Sequence, residues 1–148
     1  MDYESGLLIK DNLEHSSGAE KEAYIRRKAQ VRKYLGKTVT IEIDRPVGYI
    51  HNKKNYKLEY SINYGYVPGV IGGDGEELDV YLLGVSIPVE RYTCRVIGII
   101  HRHNDVEDKL AAAPMDASFT APEIADAVRF QEKYYTSEVE TETERVLI

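Results

Sequence analysis

Asp74-Gly75-Glu76-Glu77-Leu78-Asp79 packs four carboxylates into six positions, and Asp105, Glu107 and Asp108 put three more into four. Carboxylates this dense repel one another unless solvent, a partner or a metal cation neutralises them. Gly75 allows a sharp turn. If a strand begins at about Glu77, Asp79 and Tyr81 share one face while Leu78, Val80 and Leu82 take the other. Asp74 and Glu76 then sit in the loop before it, so three carboxylates converge near the strand's mouth. Hard oxygen donors of this kind suit Mg²⁺, Mn²⁺ or Ca²⁺ rather than Zn²⁺. The calcium EF-hand spacing is absent. On spacing alone, two ordinary solvated turns explain these residues equally well.

Cationic and phenolic groups lie close by in sequence. Lys109 follows the second acidic loop, and Lys53, Lys54 and Lys57 precede Tyr60, Tyr64 and Tyr66. The chain has 12 tyrosines against 2 phenylalanines and no tryptophan, an enrichment that favours polar-tipped rings. Metal, lysine and phenol donors together are what a small polyanion such as a phosphate ester or pyrophosphate requires. For any one tyrosine a core or surface-bridging role is the simpler account. His101 and His103, two apart at a strand end, resemble half of a transition-metal site, but no third soft ligand is specified; solvent-exposed histidines are expected there. Cys94 lies in an apolar run and reads as a buried core residue. No Gly-x-Ser-x-Gly elbow supports serine chemistry.

The elements that must position these groups are legible from periodicity. Residues 1–15 are polar and aperiodic, and read as a loose arm. Ser16 or Ser17 can cap a basic helix from about Ala19 to Leu35, with Gly36 at its end. Its apolar stripe (Tyr24, Ile25, Ala29, Val31, Leu35) is ragged, and Arg26, Arg27, Lys28, Arg32 and Lys33 form a cationic face expected to be solvated. Val39, Ile41 and Ile43 alternate with polar residues and predict a strand. A short strand is expected near Lys57 to Tyr60, turn chemistry around Tyr64 to Gly69, and buried strands at Leu78 to Val85 and Tyr92 to His101. Another short run, Leu110 to Ala113, stops at Pro114. Thr120-Ala121-Pro122-Glu123 has the form of a capping box and opens a second helix running to Tyr135. The alternating tail from Glu138 to Glu144 suits a charged edge strand. Together these predict an α+β fold: a small, mostly antiparallel, OB-like β-barrel with flanking helices.

A chain of 148 residues supports one core without disulfides, and its single cysteine forbids an internal one. No run is long and apolar enough to span a bilayer, and the first residues lack a secretory pattern; a soluble, cytoplasmic protein is expected. The net charge of −6 is unevenly placed. Residues 1–57 hold 12 basic and 8 acidic groups, whereas residues 58–148 hold 7 and 17. That acidic excess argues against nucleic acid as a partner. It does not exclude phosphate, because cations in the acidic loops would reverse the local sign.

Tyr60-Ser61-Ile62-Asn63-Tyr64-Gly65-Tyr66-Val67-Pro68, then Gly73-Asp74-Gly75-Glu76-Glu77-Leu78-Asp79-Val80, then Glu107-Asp108-Lys109-Leu110 ending at Pro114, resemble in order and spacing the soluble family I inorganic pyrophosphatases. Those enzymes carry Tyr-Pro-x-Asn-Tyr-Gly about ten residues before Asp-Gly-Asp-Pro-x-Asp, and later an Asp-x-Lys-Leu segment. The likeness runs from about Lys37 to Tyr135. It implies a five-stranded barrel with flanking helices, giving an N-terminal arm and basic helix over residues 1–36 and a barrel domain over 37–148.

The resemblance also implies roles. Asp74 and Asp79 fall on metal-binding aspartates, Glu107 and Asp105 on the later pair, and Glu42 on an early-strand glutamate near the metals. Glu76 takes the place of the central aspartate that holds and deprotonates the attacking water. Lys109, Tyr64 and Tyr134 fall on phosphate-binding positions. The expected cofactor is Mg²⁺, with Mn²⁺ as an alternative, the expected substrate is pyrophosphate, and the expected assembly is a homo-oligomer, commonly a hexamer. The chain departs from the pattern in three places. Glu76 is one methylene longer than aspartate. Tyr135 stands where a lysine is usual. The hairpin bearing the early phosphate-gripping Lys and Arg is shortened to about residues 44–59, leaving Arg45, His51, Lys53, Lys54 and Lys57 as candidates, of which Arg45 and Lys57 are the substrate-binding choices. Three functions follow: Mg²⁺-dependent pyrophosphate hydrolysis, hydrolysis of another phosphoanhydride such as a nucleotide, or non-catalytic binding of phosphate or a partner.

Overall fold

Val39, Ile41 and Ile43 turn to one side of their strand, and that period of two starts a closed barrel. The computed structural model describes residues 18–52, 54–103 and 107–148, so the expected arm lies outside the described residues. Helix α1 (Gly18–Arg32) precedes strands β1 (Thr38–Arg45), β2 (Ile50–Asn52), β3 (Lys57–Glu59), β4 (Asn63–Ile71), β5 (Glu77–Leu82), β6 (Arg91–Arg102) and β7 (Lys109–Ala113). Helix α2 (Ala121–Glu132), β8 (Ser137–Glu140) and β9 (Arg145–Leu147) follow. The strands run β1-β4-β5-β7-β6, and β6 pairs back onto β1, closing a five-stranded barrel. Among the described residues, only β5 with β7 is parallel. The architecture is the α+β barrel expected from the sequence.

Closure depends on β6, which is long enough to serve two partners along one edge. Arg91 to Arg95 pair with β1, and Ile99 to Arg102 pair with β8. On the other side of the barrel, β1 and β4 cross closely. A Cβ on Gly65 would lie 1.8 Å from the Glu42 carbonyl oxygen, so the approach requires glycine. The register of this pair shifts between Ile43 and Arg45, leaving Asp44 as the extra residue of a bulge. The Tyr64 to Gly69 segment, read as turn chemistry, is instead part of β4. Pro68 is tolerated because pairing with β5 is interrupted between Tyr66 and Ile71.

Two apolar clusters lie on opposite sides of the sheet. Ile41, Leu78, Val80, Leu82, Val96 and Leu110 fill the barrel, and Val31, Tyr34 and Leu35 at the end of α1 pack against them. Tyr60, Tyr64, Tyr81 and Ile100 face outward beneath Ile124, Ala125 and Val128 of α2. That helix begins with the expected capping box, Thr120 accepting from the Glu123 backbone and Glu123 from that of Thr120. It ends at Glu132, not Tyr135, with Lys133 as its C-cap.

Glu132 is fully buried and accepts from every side. Arg102 donates through Nε at 3.0 Å and NH2 at 2.6 Å, Tyr81 at 2.5 Å and Ser137 at 2.8 Å. Burial alone would lower the Arg102 pKa, but the bonds and charge of Glu132 more than reverse that, holding the guanidinium protonated.

Three surface expectations are corrected. His101 and His103 are buried, because β8 and α1 cover this end of β6. His101 Nε2 lies 2.8 Å from Glu140 and His103 Nδ1 3.3 Å from the Tyr24 hydroxyl. The tail is not a charged edge: β8 is enclosed by β9, and Glu140 pairs inward with Arg145 and Arg32 at 2.8 and 3.0 Å. Lys28, expected on a solvated face, is only 4% exposed. It donates to Asp108 at 2.6 Å and to the Arg102 carbonyl at 3.3 Å. Desolvation brings its pKa down to about 8 against the opposing pull of Asp108.

Two changes test this framework. Gly65→Ala presses a Cβ into backbone that cannot retreat, so it should cost about 3 kcal/mol or more. At about 2–4 °C per kcal/mol for a chain of this size, thermal melting should show it clearly. Glu132→Gln leaves the Arg102 charge buried without its counter-ion, and urea denaturation should register a loss of about 3–5 kcal/mol. An unchanged midpoint in either variant contradicts the packing described.

Candidate active site

The parallel register of β5 and β7 pairs Val80 with Leu110, which brings Asp79 beside Lys109 across thirty positions of sequence. Tyr64 pairs with Tyr81 on the next strand, so its ring reaches diagonally to Asp79. The Lys109 ammonium donates to Asp79 Oδ2 at 2.9 Å, Glu107 Oε2 at 2.7 Å and the Tyr64 hydroxyl at 2.7 Å. Tyr64 in turn donates to Asp79 Oδ2 at 2.6 Å. One cation thus serves two carboxylates and a phenol. Burial, reinforced by Asp79, raises the Tyr64 pKa well above the ordinary phenol value, so this hydroxyl stays a donor.

A second polar chain runs behind this cluster. Arg45 donates to the Tyr60 hydroxyl at 2.5 Å, Tyr60 to Gln131 at 2.5 Å, and Gln131 to Tyr81 at 2.8 Å. Tyr81 then reaches Glu132, whose partner Arg102 lies 3.8 Å from Glu107. The Arg45 guanidinium also rests over the Tyr60 and Tyr64 rings, 5.4 and 5.7 Å from their centroids. Asp44, the bulge residue, has its pKa raised chiefly by partial desolvation and to a small degree by Asp79.

Of the residues singled out from sequence, the structure gathers Tyr64, Asp79, Glu107 and Lys109 into one bonded cluster, with Arg45 against its rings. Glu42 lies on the outer face in one row with Tyr66 and Asp79, where Arg91 holds it at 2.6 Å. Asp74 and Glu76 stand at the exposed β4–β5 turn, outside the cluster. There Asp74 accepts from the Glu76 backbone at 3.0 Å and Glu77 from that of Gly69 at 2.7 Å, whereas the Glu76 carboxylate bonds to none of the described residues. Lys57 alternates away from buried Leu58, on the solvent side of its hairpin. Tyr134 stacks on Tyr56 rather than joining the cluster. Asp105 and Lys53 lie outside the described residues. Sequence reasoning missed Arg102, Glu132, Gln131 and Asp44; the only signals were an arginine ending an apolar strand and polar residues on the inner stripe of α2.

Among the described residues, no three His, Cys, Asp or Glu groups are gathered as a metal site. The donor chemistry nevertheless fits a hard divalent cation. Asp79 and Glu107 share a single ammonium, and each keeps one oxygen that the described residues leave unbonded.

Comparison with known proteins places the fold and the family. The curated inorganic pyrophosphatases of Xylella fastidiosa and Caulobacter vibrioides are each 28% identical to the chain, over 88 and 87 residues. Each match covers 55% of this chain and 49% of the relative, so the chain aligns with about half the length of the curated relatives it matches. The crystal structure of inorganic pyrophosphatase from Ehrlichia chaffeensis superposes with a TM-score of 0.53 at 19% identity, covering 72% of this chain and 87% of that one. An inorganic pyrophosphatase structure from Coxiella burnetii gives 0.52 at 20% identity, covering 72% and 86%. Those two likenesses show the fold. The inorganic pyrophosphatase family model matches residues 31–141, three-quarters of the chain and all the barrel strands that carry the cluster; the chain belongs to the inorganic pyrophosphatase family.

Proposed function

We propose that this chain is an inorganic diphosphatase that hydrolyses pyrophosphate to two phosphates with Mg²⁺. The observation that carries the reading is the cluster of Asp79, Glu107, Tyr64 and Lys109 on the barrel of this family. Asp79 and Glu107 would hold Mg²⁺, with Asp74, Glu42 and Asp105 as further oxygen donors, and the ion would supply neutralising charge and acidify water.

The protein's own groups do the rest. The three N–H donors of Lys109 are already held at one point by three oxygens, so a phosphoryl oxygen binds by taking the place of one of them, with little further loss of freedom. Arg45 is steered by the Tyr60 and Tyr64 rings and offers the second cation. Tyr64, remaining protonated, donates its one proton to Asp79 and accepts from Lys109, so it fixes the positions of both groups. Glu76 is the carboxylate of the β4–β5 turn with no backbone amide to hold it, which suits it to take the proton of the attacking water. Its extra methylene lengthens its reach by about 1.5 Å relative to aspartate.

Phosphate release from pyrophosphate should require Mg²⁺ and stop with a chelator; folded protein that releases none refutes the assignment. Lys109→Gln should lower kcat/KM by about 10²–10³ through loss of a cation preorganised for developing phosphate charge. Glu76→Gln should lower kcat by about 10²–10⁴ without moving the melting temperature, since its side chain is exposed and bonds to none of the described residues. If its rate matches the parent's, the proton acceptor lies elsewhere.

A further inference from the structure

Beyond the cluster, three tyrosines are exposed among the described residues of the β2–β3 region and the end of α2. Tyr49 is 40% exposed, Tyr56 38% and Tyr134 50%, on the β2–β3 hairpin and just past α2. The Tyr56 and Tyr134 rings are stacked, 5.1 Å between centroids at 28°. The Lys133 ammonium lies 5.3 Å from the Tyr134 centroid. Contacts lead from two of these residues towards the candidate site. Tyr49 meets the edge of Tyr60, Tyr60 lies 5.4 Å from Tyr64, and Tyr64 bonds Asp79 and Lys109. Gln131 holds the Tyr60 and Tyr81 hydroxyls, and Tyr134 is one helical turn beyond it.

The charges near the cluster are sparse for a substrate anionic at both ends. Lys109 is already shared between two carboxylates, and Arg45 is bonded to Tyr60. Lys57 points away. Esterifying one end of a diphosphate removes charge there, and attaching a flat ring adds what the tyrosines can bind. Stacked phenol faces edged by a cation accept nucleobases without regard to sequence. From Tyr60 to Tyr56 the extended chain covers roughly 13 Å at about 3.3 Å per residue, enough to separate a phosphoryl site from a base platform.

We propose that the site accepts a nucleoside 5′-diphosphate, its diphosphate at Asp79, Lys109 and Tyr64 and its base on the half-exposed ring of Tyr134, backed by Tyr56. The proposal rests on the phosphoanhydride chemistry assigned above. Water forms a new bond to the terminal phosphorus, and its proton passes to Glu76. The anhydride P–O bond breaks with its electron pair remaining on the oxygen of the nucleoside phosphate. The products are a nucleoside monophosphate and inorganic phosphate.

The test uses the full chain with Mg²⁺, comparing phosphate release from pyrophosphate, ADP and UDP. Tyr56→Ala and Tyr134→Ala should each lower the ratio of kcat/KM for ADP to that for pyrophosphate by about 5- to 150-fold, the range of one stacking contact. Tyr56→Phe, which keeps the ring, should restore that ratio. A ratio unmoved by either alanine overturns the base platform. So does a parent that cleaves pyrophosphate yet neither cleaves ADP nor is competitively inhibited by it, and in that case the diphosphatase reading stands. If neither substrate is cleaved, the catalytic reading fails, and calorimetric titration of ADP decides the platform alone: binding weakened by Tyr56→Ala supports it, and no binding overturns it. Sedimentation equilibrium that finds an oligomeric parent but a monomeric Tyr56→Ala assigns the patch to contacts between copies and overturns the proposal.

Discussion

The buried pair of Arg102 and Glu132 is the constraint on which the rest depends. A carboxylate with no exposed surface is tolerable only when its lone pairs are filled, and here Arg102, Tyr81 and Ser137 fill them. Those three donors come from β6, β5 and the start of β8, while Glu132 ends α2. A single charged group therefore fixes where the helix stops, how β8 joins β6, and how β5 sits beneath both. The same arginine reaches the acidic loop: its backbone amide donates to Asp108 at 3.0 Å, and its guanidinium lies near Glu107. Precision at the cluster is inherited from this pair.

The uneven distribution of charge has a structural use as well. The basic helix α1 has few apolar residues to bury, and Ile25 remains exposed. Val31 in its last turn packs on the barrel cluster, and the helix is otherwise held by charge, through Lys28 and Arg27 on Asp108 and Arg32 on Glu140. Burial raises the pKa of a carboxyl, yet Asp108 is held well below the usual carboxylate range by His101 and Lys28. Positive charge in the first third of the chain thus neutralises a loop adjoining the cluster, which leaves Glu107 free to engage Lys109.

What sequence revealed, and what it hid, divides along the range of the forces involved. Strand alternation around Ile41 and Leu78 and the Thr120 capping box are local, so their signals survive in the order of residues. Asp79, Glu107, Lys109 and Tyr64 were legible because ordered motifs stand in for the register that unites them. By contrast, Arg102 is one arginine at the end of an apolar run, and nothing local announces that a helix thirty residues later will supply its counter-ion. His101 and His103 looked like surface groups because the strands and helix covering them are remote in sequence. Lys28 was indistinguishable from its solvated neighbours for the same reason. Burial of a charge is a long-range property, and composition carries no trace of it.

The arrangement around Lys109 finally bears on why an acidic protein should handle an anion. Two carboxylates against one ammonium leave the cluster with a surplus negative charge, and at a partly buried position such a surplus is felt at several ångströms. Arg45 offsets it from one side only. A phosphoanhydride, itself anionic, meets a net repulsion there until a further cation enters. Adding another lysine to the fold would neutralise the carboxylates permanently and abolish their affinity for a metal. A hard divalent cation does otherwise: it needs the surplus in order to bind, and once bound it reverses the sign the substrate meets. On the proposed reading, the acidity of the loops is what makes a cationic site possible, and Lys109, bonded to both Asp79 and Glu107, sets much of how far that acidity remains available.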